Sequence, residues 1–505
     1  PVFIYSDNAS NLTTLFDVSQ RIAAIPASVR PYAWLAIYQP LQYDYYTTVG
    51  GVDTPLTPPT VRPTYAAEQA LFIAALEKAK ASGVKVIIQL VTGKGNLLYT
   101  YGVNSGTTTE IAYYDNLLAT YPCIAALETV ETGSWQALNA NTTNHIINFT
   151  NLCSKYNRKF VWTSFIGTPI DLWNNLMTDV TLSAFIQANS NTIIPVWKNV
   201  EPADNMLNWG DCVGLWLSGY TNAWGFKFDT WYYSNYIPMT NGTTRSYYST
   251  IGTGMDGIGL YGCPSYLVKD NMILSVLTGS NYFSTEPNGV YDYVSPQGPL
   301  RGVIDNVYQL IVANLLVRSK SDVMALCKVA VESPTQSAIG SKGFTHSTTT
   351  ATRPNILWKQ VFAIPDSGLD IIPNDGKNFI VPVVPPTGST ATFTKLLTAT
   401  SASSAAALSS TLTSYYPRRF IASDPNVLVF DAGKYIYITD SREDNRTLLQ
   451  FTLQSTVAFN YNLILLTADG TVKTGVKPTQ TASGAGWSIN LLLPVGCSIL
   501  LTQQI

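Results

Sequence analysis

The sequence is poor in charge. Lys, Arg, Asp and Glu make up only 12% of its 505 residues, about half of the usual share of ~25%. The formal net charge is −2, and Lys and Arg form no run. Phosphate binding needs clustered positive charge, so a nucleic-acid partner is not expected. Histidine is scarcer still, with only His145 and His346 present. Neither stands in a His-Glu-x-x-His pattern, and there is no Gly-x-Ser-x-Gly elbow, so Ser-His and Cys-His nucleophile systems have little support. His145 falls inside a helical segment and reads as a packed or surface residue. The cysteines are Cys123, Cys153, Cys212, Cys263, Cys327 and Cys497. None forms a Cys-x-x-Cys, which argues against a zinc site; buried thiols and one or two disulfides both fit them. No apolar run reaches the ~18 residues of a membrane span. The chain opens at Pro1 without Met and without a charged segment leading into an apolar one, as after signal-peptide removal or trimming. No cofactor is called for.

What is present is hydrophobic and hydroxylated. Hydrophobic residues reach 46%, with 30 Tyr and 11 Trp, enough to bury a large core. Polarity comes from Thr, Ser, Asn and Tyr, a surface suited to hydrogen bonding and stacking more than to ion pairing. Asn-x-Ser/Thr sequons occur at Asn8, Asn11, Asn141, Asn148, Asn241 and Asn445; they permit a glycosylated, secreted protein, the expected location. One Gly-x-Gly-x-x-Gly occurs, Gly252 to Gly257. Ile-Gly-Leu-Tyr-Gly-Cys-Pro follows it rather than a helix start, so it reads as a glycine-rich loop and not a dinucleotide cradle.

Over the first 320 residues or so, short apolar β-branched runs alternate with segments of helical periodicity. The runs 2–6, 31–39, 84–91, 124–130, 159–165, 193–200, 223–229 and 281–286 read as buried parallel strands. Helices are expected over 65–82, 109–120, 144–157, 205–219 and 266–279, the first with Thr64 placed to cap it and Gly83 to end it. The pattern is α/β and predicts a (β/α)8 TIM-type barrel over 1–320, with a doubly wound open sheet as the alternative. From 321 to 505 alternating strands take over, such as VLVFDA, KYIYITD, LLQFTLQS and SILLTQ, and predict an all-β sandwich domain.

With histidine chemistry set aside, the carboxylates remain. Barrel active sites gather at the C-terminal ends of the strands. Three acids stand there: Glu131 after the fourth predicted strand, Asp229 closing the seventh, Glu286 closing the eighth. Strands 4 and 8 of a barrel face each other and 7 neighbours 8. A substrate across the mouth would have an acid on one side and a carboxylate pair on the other, the arrangement glycoside cleavage requires. Helix caps or rim ion pairs are the other reading. Trp135, Trp231, Tyr232 and Tyr233 follow the acids and offer rings to the apolar faces of sugars, unless they fill core. Lys198, late in the sixth strand, is placed to bind a substrate hydroxyl or to form a rim salt bridge.

At these residues the chain resembles glycoside hydrolase family 98. Ile25-Pro-Ala-Ser-Val-Arg30-Pro-Tyr is similar to the family's early IP-x-x-V/I-RPY stretch. Cys123 to Glu131 resembles the strand that carries its general acid. Leu217-Ser-Gly-Tyr220 through Gly225-Phe-Lys-Phe-Asp229 resembles its LSGY…G-I-R-x-D block, and Tyr282 to Glu286 the strand with a second carboxylate. Asp370 to Pro385 and Asp444 to Thr452 resemble two segments of its β region. The resemblance implies an endo-acting, inverting hydrolase of blood-group-type galactosyl glycans or of xylan. In it Glu131 is the acid, while Asp229 and Glu286 activate water. Two features depart from the family pattern. Glu128 competes with Glu131 for the acid position, and Trp197-Lys198-Asn199 lacks an acidic neighbour before Glu201. Acids after strands 4 and 7 also suit retaining barrels, in which Asp229 would be the nucleophile. A polysaccharide or oligosaccharide is the expected partner. The rival from another class is a non-catalytic extracellular glycan-binding or surface structural protein on a barrel scaffold.

Overall fold

The computed structural model describes residues 1–5, 18–49, 52–90, 102–130, 140–164, 179–199, 206–228, 265–285, 301–314, 316–332, 382–384, 393–397, 414–415, 419–424, 427–440, 448–456, 461–473, 480–483 and 486–503. The chain divides into two compact units. One holds 1–198, 220–228 and 282–298; the other holds 199–219, 229–281 and 299–505.

The first unit contains strands β1 (Val2–Tyr5), β2 (Ala33–Tyr38), β3 (Tyr43–Val49), β4 (Val52–Val61), β5 (Lys85–Leu90), β6 (Ile124–Val130), β7 (Lys159–Ser164), β8 (Ile193–Asn199), β9 (Gly225–Phe228) and β10 (Tyr282–Thr285). Eight of them close a parallel barrel in the order β1-β10-β9-β8-β7-β6-β5-β2. These are the eight strands expected from the sequence, within a residue or two at their ends. Closure is made by β1, which pairs Phe3 with Ala33 on one side and Val2 with Tyr282 on the other. The remaining pair, β3 and β4, is an antiparallel hairpin that follows β2 in the chain and that the sequence pattern does not indicate. Helices α1 (Val18–Ala24), α2 (Tyr65–Ser82), α3 (Thr108–Thr120), α4 (Ala140–Lys155) and α5 (Val180–Ala188) lie between these strands in sequence.

Local chemistry sets the helix ends. Thr107 opens α3 with a capping box: its hydroxyl accepts from the Glu110 amide at 3.3 Å, and the Glu110 carboxylate accepts from the Thr107 amide at 2.9 Å. At α2, Gly83 sits in the left-handed region at φ +68°, its amide directed to the Ala79 and Lys80 carbonyls. Thr64 differs from expectation. Its backbone is already helical, its side chain caps no amide, and its hydroxyl donates to Glu68 at 2.7 Å instead.

Inside the barrel, strand alternation stacks Ile4, Trp34, Ala36, Ile87, Ala126, Val161, Ile194, Val196 and Tyr282 into one apolar cluster. The Trp34 and Tyr282 rings meet edge to face with centroids 5.7 Å apart. Gly225 is required beside them, because a Cβ there would lie 2.9 Å from both Tyr282 Cβ and Val196 Cγ2.

The second unit contains helices α6 (Met206–Leu217), α7 (Ser265–Leu277), α8 (Arg301–Asn314) and α9 (Lys320–Leu326) and strands β11 (Val329–Glu332), β12 (Val383–Val384), β13 (Lys395–Leu397), β14 (Phe420–Ala422), β15 (Val427–Asp431), β16 (Tyr435–Asp440), β17 (Leu449–Ser455), β18 (Tyr461–Leu466), β19 (Val472–Lys473), β20 (Gln480–Ser483), β21 (Gly486–Leu493) and β22 (Ser498–Gln503). They build a small sheet β12-β11-β13, a sheet β14-β17-β21-β20 and a sheet β15-β16-β22-β18-β19. The last two are antiparallel throughout. Their alternating residues, among them Val429, Ile438, Phe451, Leu453, Trp487, Ile489 and Ile499, share one buried cluster. Among the described residues Cys123, Cys153, Cys212, Cys327 and Cys497 are free thiols; Cys263 lies outside them.

A buried polar network ties α7 to the five-stranded sheet. Asp270 accepts from Tyr437 Oη and, at 2.7 Å, from Thr439 Oγ1. Lys269 Nζ donates to the Gly496 carbonyl at 2.8 Å and the Thr467 carbonyl at 3.2 Å, and lies 3.6 Å from Asp270 Oδ1. Burial pulls the Lys269 ammonium below its ordinary pKa and pushes the Asp270 carboxyl above its own, each opposed by the partner's charge. Removing one partner strands the other charge in the interior. Asp270→Ala is therefore expected to cost about 3–5 kcal/mol in urea unfolding; a loss below about 1 kcal/mol would show that the pair does not hold α7.

Candidate active site

Above the apolar cluster the barrel interior turns polar. Glu128 follows Ala126 by two residues on β6, as Gln89 follows Ile87 on β5, Thr163 follows Val161 on β7 and Lys198 follows Val196 on β8. The period of two keeps each on the inward face. Glu128 Oε1 accepts from Lys227 Nζ on β9 at 2.9 Å and from Thr163 Oγ1 at 3.0 Å; Oε2 accepts from Gln89 Nε2. The Glu128 and Lys227 side chains are each 1% exposed. Both carboxylate oxygens are thus engaged by donors from three strands, the condition under which a buried ion pair is tolerated. Lys198 is fully buried as well. Sequence reasoning weighs Glu128 only as a rival acid and passes over Lys227, Gln89 and Thr163. The available signal is a charged or amide side chain inside an apolar strand run.

The three carboxylates singled out by the sequence, Glu131, Asp229 and Glu286, lie outside the described residues. So do Trp135, Trp231, Tyr232 and Tyr233, the Gly252–Gly257 segment and the sugar-facing roles assigned there. What the fold adds is their position in the chain. Glu131, Asp229 and Glu286 are each the next residue after the last residue of β6, β9 and β10. In the closed barrel β9 and β10 are neighbours, and β6 stands four strands from β10.

The other face of β6 is fastened by a histidine. His145 on α4 is buried, its Nε2 2.6 Å from Thr129 Oγ1 and its Nδ1 against the Asn104 carbonyl. A carbonyl only accepts, so Nδ1 carries the proton and Nε2 accepts from the threonine hydroxyl. Asn104 adopts φ +56°; its amide donates to Glu110 at 2.6 Å and its Oδ1 accepts from Tyr114 Oη at 3.2 Å. Residues 102–107, α3, α4 and β6 are thereby locked together next to Glu128. Burial drives the His145 pKa down from 6.5 to about 4, against the opposing effect of the Asn104 carbonyl.

Comparison with known proteins agrees with this architecture. The sequence model described as glycosyl hydrolase family 98 matches residues 9–316. Among solved structures, the catalytic module of a family 98 glycoside hydrolase from Streptococcus pneumoniae TIGR4 is similar in its native form, with TM-score 0.64 and 16% identity, over 99% of this chain and 98% of that one. The same module in complex with the LewisY pentasaccharide blood group antigen gives TM-score 0.65 at 14% identity, over 99% and 98%. In complex with the H-disaccharide blood group antigen it gives 0.62 at 14%, with the same coverage. At these identities the likeness is one of fold. No curated protein matches the chain by sequence.

The histidine yields a pH dependence of known sign. A His held neutral in the fold and titrating near 6.5 when unfolded stabilises fully above 6.5 and loses that contribution as pH falls toward about 4. At 1.36 kcal/mol per unit the interval corresponds to about 3 kcal/mol. Urea unfolding of the intact protein and of His145→Gln between pH 7 and 4 should show the variant less stable at pH 7 and the gap closing in acid. Parallel curves would remove His145 from the account.

Proposed function

Because the chain belongs to glycoside hydrolase family 98, we propose that it is a secreted, endo-acting enzyme that cleaves inside a polysaccharide or glycan with inversion at the anomeric carbon. The observation that carries this reading is the coincidence of the family match with a closed barrel in which three acids directly follow three strand ends. In this reading Glu131 is the general acid and gives its proton to the departing glycosidic oxygen. Asp229 and Glu286 take a proton from water as its oxygen attacks the anomeric carbon from the opposite face. The glycosidic bond breaks, a hydroxyl forms on each fragment, and the proton balance is restored through solvent. Inversion needs the opposing carboxyl groups roughly 6.5–9.5 Å apart so that water fits between them.

Trp135, Trp231 and Tyr232 are proposed as the rings against which sugars stack, and Lys198 as a hydroxyl-binding group. The low charge of the chain suits a neutral glycan. A galactosyl glycan of blood-group type, or xylan, is the substrate class proposed, in keeping with the two antigens held by the pneumococcal module.

A panel of galactosyl glycans, xylans and other polymers, treated with intact protein and with Glu131→Gln, tests this directly. The intact protein should release oligosaccharides of β-to-α or α-to-β inverted configuration by NMR, and the variant should be slower by at least ~10². Retained configuration would make Asp229 a nucleophile. Binding by both proteins without release by either would establish a glycan-binding protein instead.

A further inference from the structure

We propose that the hairpin β3–β4 and the first turns of α2 and α3 form an accessory subsite for a neutral sugar unit of a longer glycan, outside the barrel interior; this rests on the reading of the chain as a glycan-cleaving enzyme given above. A helix that joins two parallel strands runs back against them, so the starts of α2 and α3 stand at the end where the strands finish. Gln39, the residue after β2, marks the same end: its amide donates to the Gln89 carbonyl at 3.1 Å and prolongs the β2–β5 ladder. The hairpin leaves the barrel there. Arg62 fastens it, its amide donating to the Gln42 carbonyl at 3.0 Å, while its guanidinium lies 3.3 Å from Asp44 and 3.5 Å from Glu68 on α2.

Four tyrosines and two glutamines meet here. Tyr43 and Tyr45, two apart on β3, set their rings edge to face with centroids 6.3 Å apart. Tyr65 is the first residue of α2. Tyr113 on α3 accepts at its phenol oxygen from Gln69 Nε2 on α2 at 2.8 Å and is bonded by Gln39 as well. Burial raises the pKa of Tyr45, Tyr65 and Tyr113. Tyr43 adds to the rise in Tyr45 and Tyr65, and Tyr65 adds to it in Tyr113, so the four phenols belong to one cluster. All six side chains belong to half-buried residues, which leaves ring surface open. Two acceptors among them go unfilled: Gln39 Oε1 and Gln69 Oε1 are shut off from solvent and receive no hydrogen bond. A buried acceptor without a donor is costly, and a hydroxyl entering beside the rings removes that cost. A sugar brings both parts, C–H faces for the phenol rings and hydroxyls for the amide oxygens. The nearby charges are already answered: Arg62 pairs with Asp44 and Glu68, and the Glu110 carboxylate accepts from three backbone amides. That favours a neutral unit over an acidic one.

The test is calorimetric titration with a long and a short glycan of one series: the LewisY pentasaccharide against the H-disaccharide, and xylohexaose against xylobiose. Full-length Glu131→Gln, which leaves the glycans whole, is compared with the same protein carrying Tyr43→Ala and Tyr65→Ala, or Gln69→Leu. Only the longer member of each series has a unit to spare for the hairpin. Removing the two rings is expected to weaken the longer glycan roughly tenfold more than the shorter, and Gln69→Leu to weaken it several-fold more. Equal losses for both lengths, or no loss, in folded variants overturn the inference. Where the variants do not fold, hydroxyl-radical footprinting of full-length Glu131→Gln decides. Saturating pentasaccharide or xylohexaose should protect Tyr43, Tyr45 and Tyr65, and no protection at these three overturns the inference. Cleavage by the intact protein together with either overturning result removes this inference alone. Neither binding nor cleavage of any glycan by the intact protein removes the functional reading and this inference with it.

Discussion

The site depends on the closure of the barrel through β1. Four residues at the start of the chain pair with β2 on one side and with β10, some 280 residues later, on the other. Parallel strands cannot be joined by short turns, so each ladder is assembled from distant segments and its register is fixed by what fills the interior. Here the filling is uneven. Trp34 and Tyr282 take so much of the lower interior that β9 can offer only Gly225 between Tyr282 and Val196. That packing brings β8, β9 and β10 into close contact at Gly225. Asp229 and Glu286 are the residues that follow β9 and β10 in the chain.

The change from apolar to polar within two residues, repeated on β5, β6, β7 and β8, is the second constraint. A chain with so little charge nevertheless commits Glu128, Lys198 and Lys227 to the inside of its barrel. Burying an ion pair is costly and seldom adds net stability, and its usual benefit is geometric definition. Glu128 is bound by β5, β7 and β9 at once, so the pair fixes those strands relative to β6 at one depth. On the outer face of β6, one residue further on, Thr129 is held by His145. The strand that leads to Glu131 is therefore held on both faces. In the proposed mechanism Glu131 transfers a proton, a step with small positional tolerance, and a fixed β6 would serve it.

Much of this is legible in the sequence, for identifiable reasons. Buried parallel strands are uninterrupted apolar runs, and VKVIIQLV or KFVWTSF leaves few other readings. The hairpin β3–β4 escapes because Pro55, Pro58 and Pro59 stand within 52–61, and proline argues against a strand. Those prolines fit because the hairpin has only two strands and both are edges; Gly50-Gly51, between the two, is the turn signal available. Thr64 has the right residue type for a cap, but Glu68 one turn on competes for its hydroxyl. The Glu128–Lys227 pair is out of reach for another reason. Each residue is visible as a charge in an apolar run, yet they are 99 positions apart, and only the closed barrel brings β6 opposite β9.

The β-rich part of the chain reads in sequence as a separate domain after the barrel. Helices α6 and α7, which precede β9 and β10 in the chain, share a compact unit with the C-terminal sheets. The reason is chemical: Lys269 and Asp270 on α7 are fully buried, and the groups that satisfy them are Tyr437, Thr439 and two carbonyls contributed by the sheet region. A helix carrying an adjacent buried cation and anion cannot be left facing solvent or an apolar wall without a penalty of several kcal/mol. Its sequence therefore already commits it to a polar partner surface, whose groups lie 167 to 227 residues downstream. The likeness in fold to the pneumococcal catalytic module extends over 99% of this chain, well past residue 316 where the family match ends.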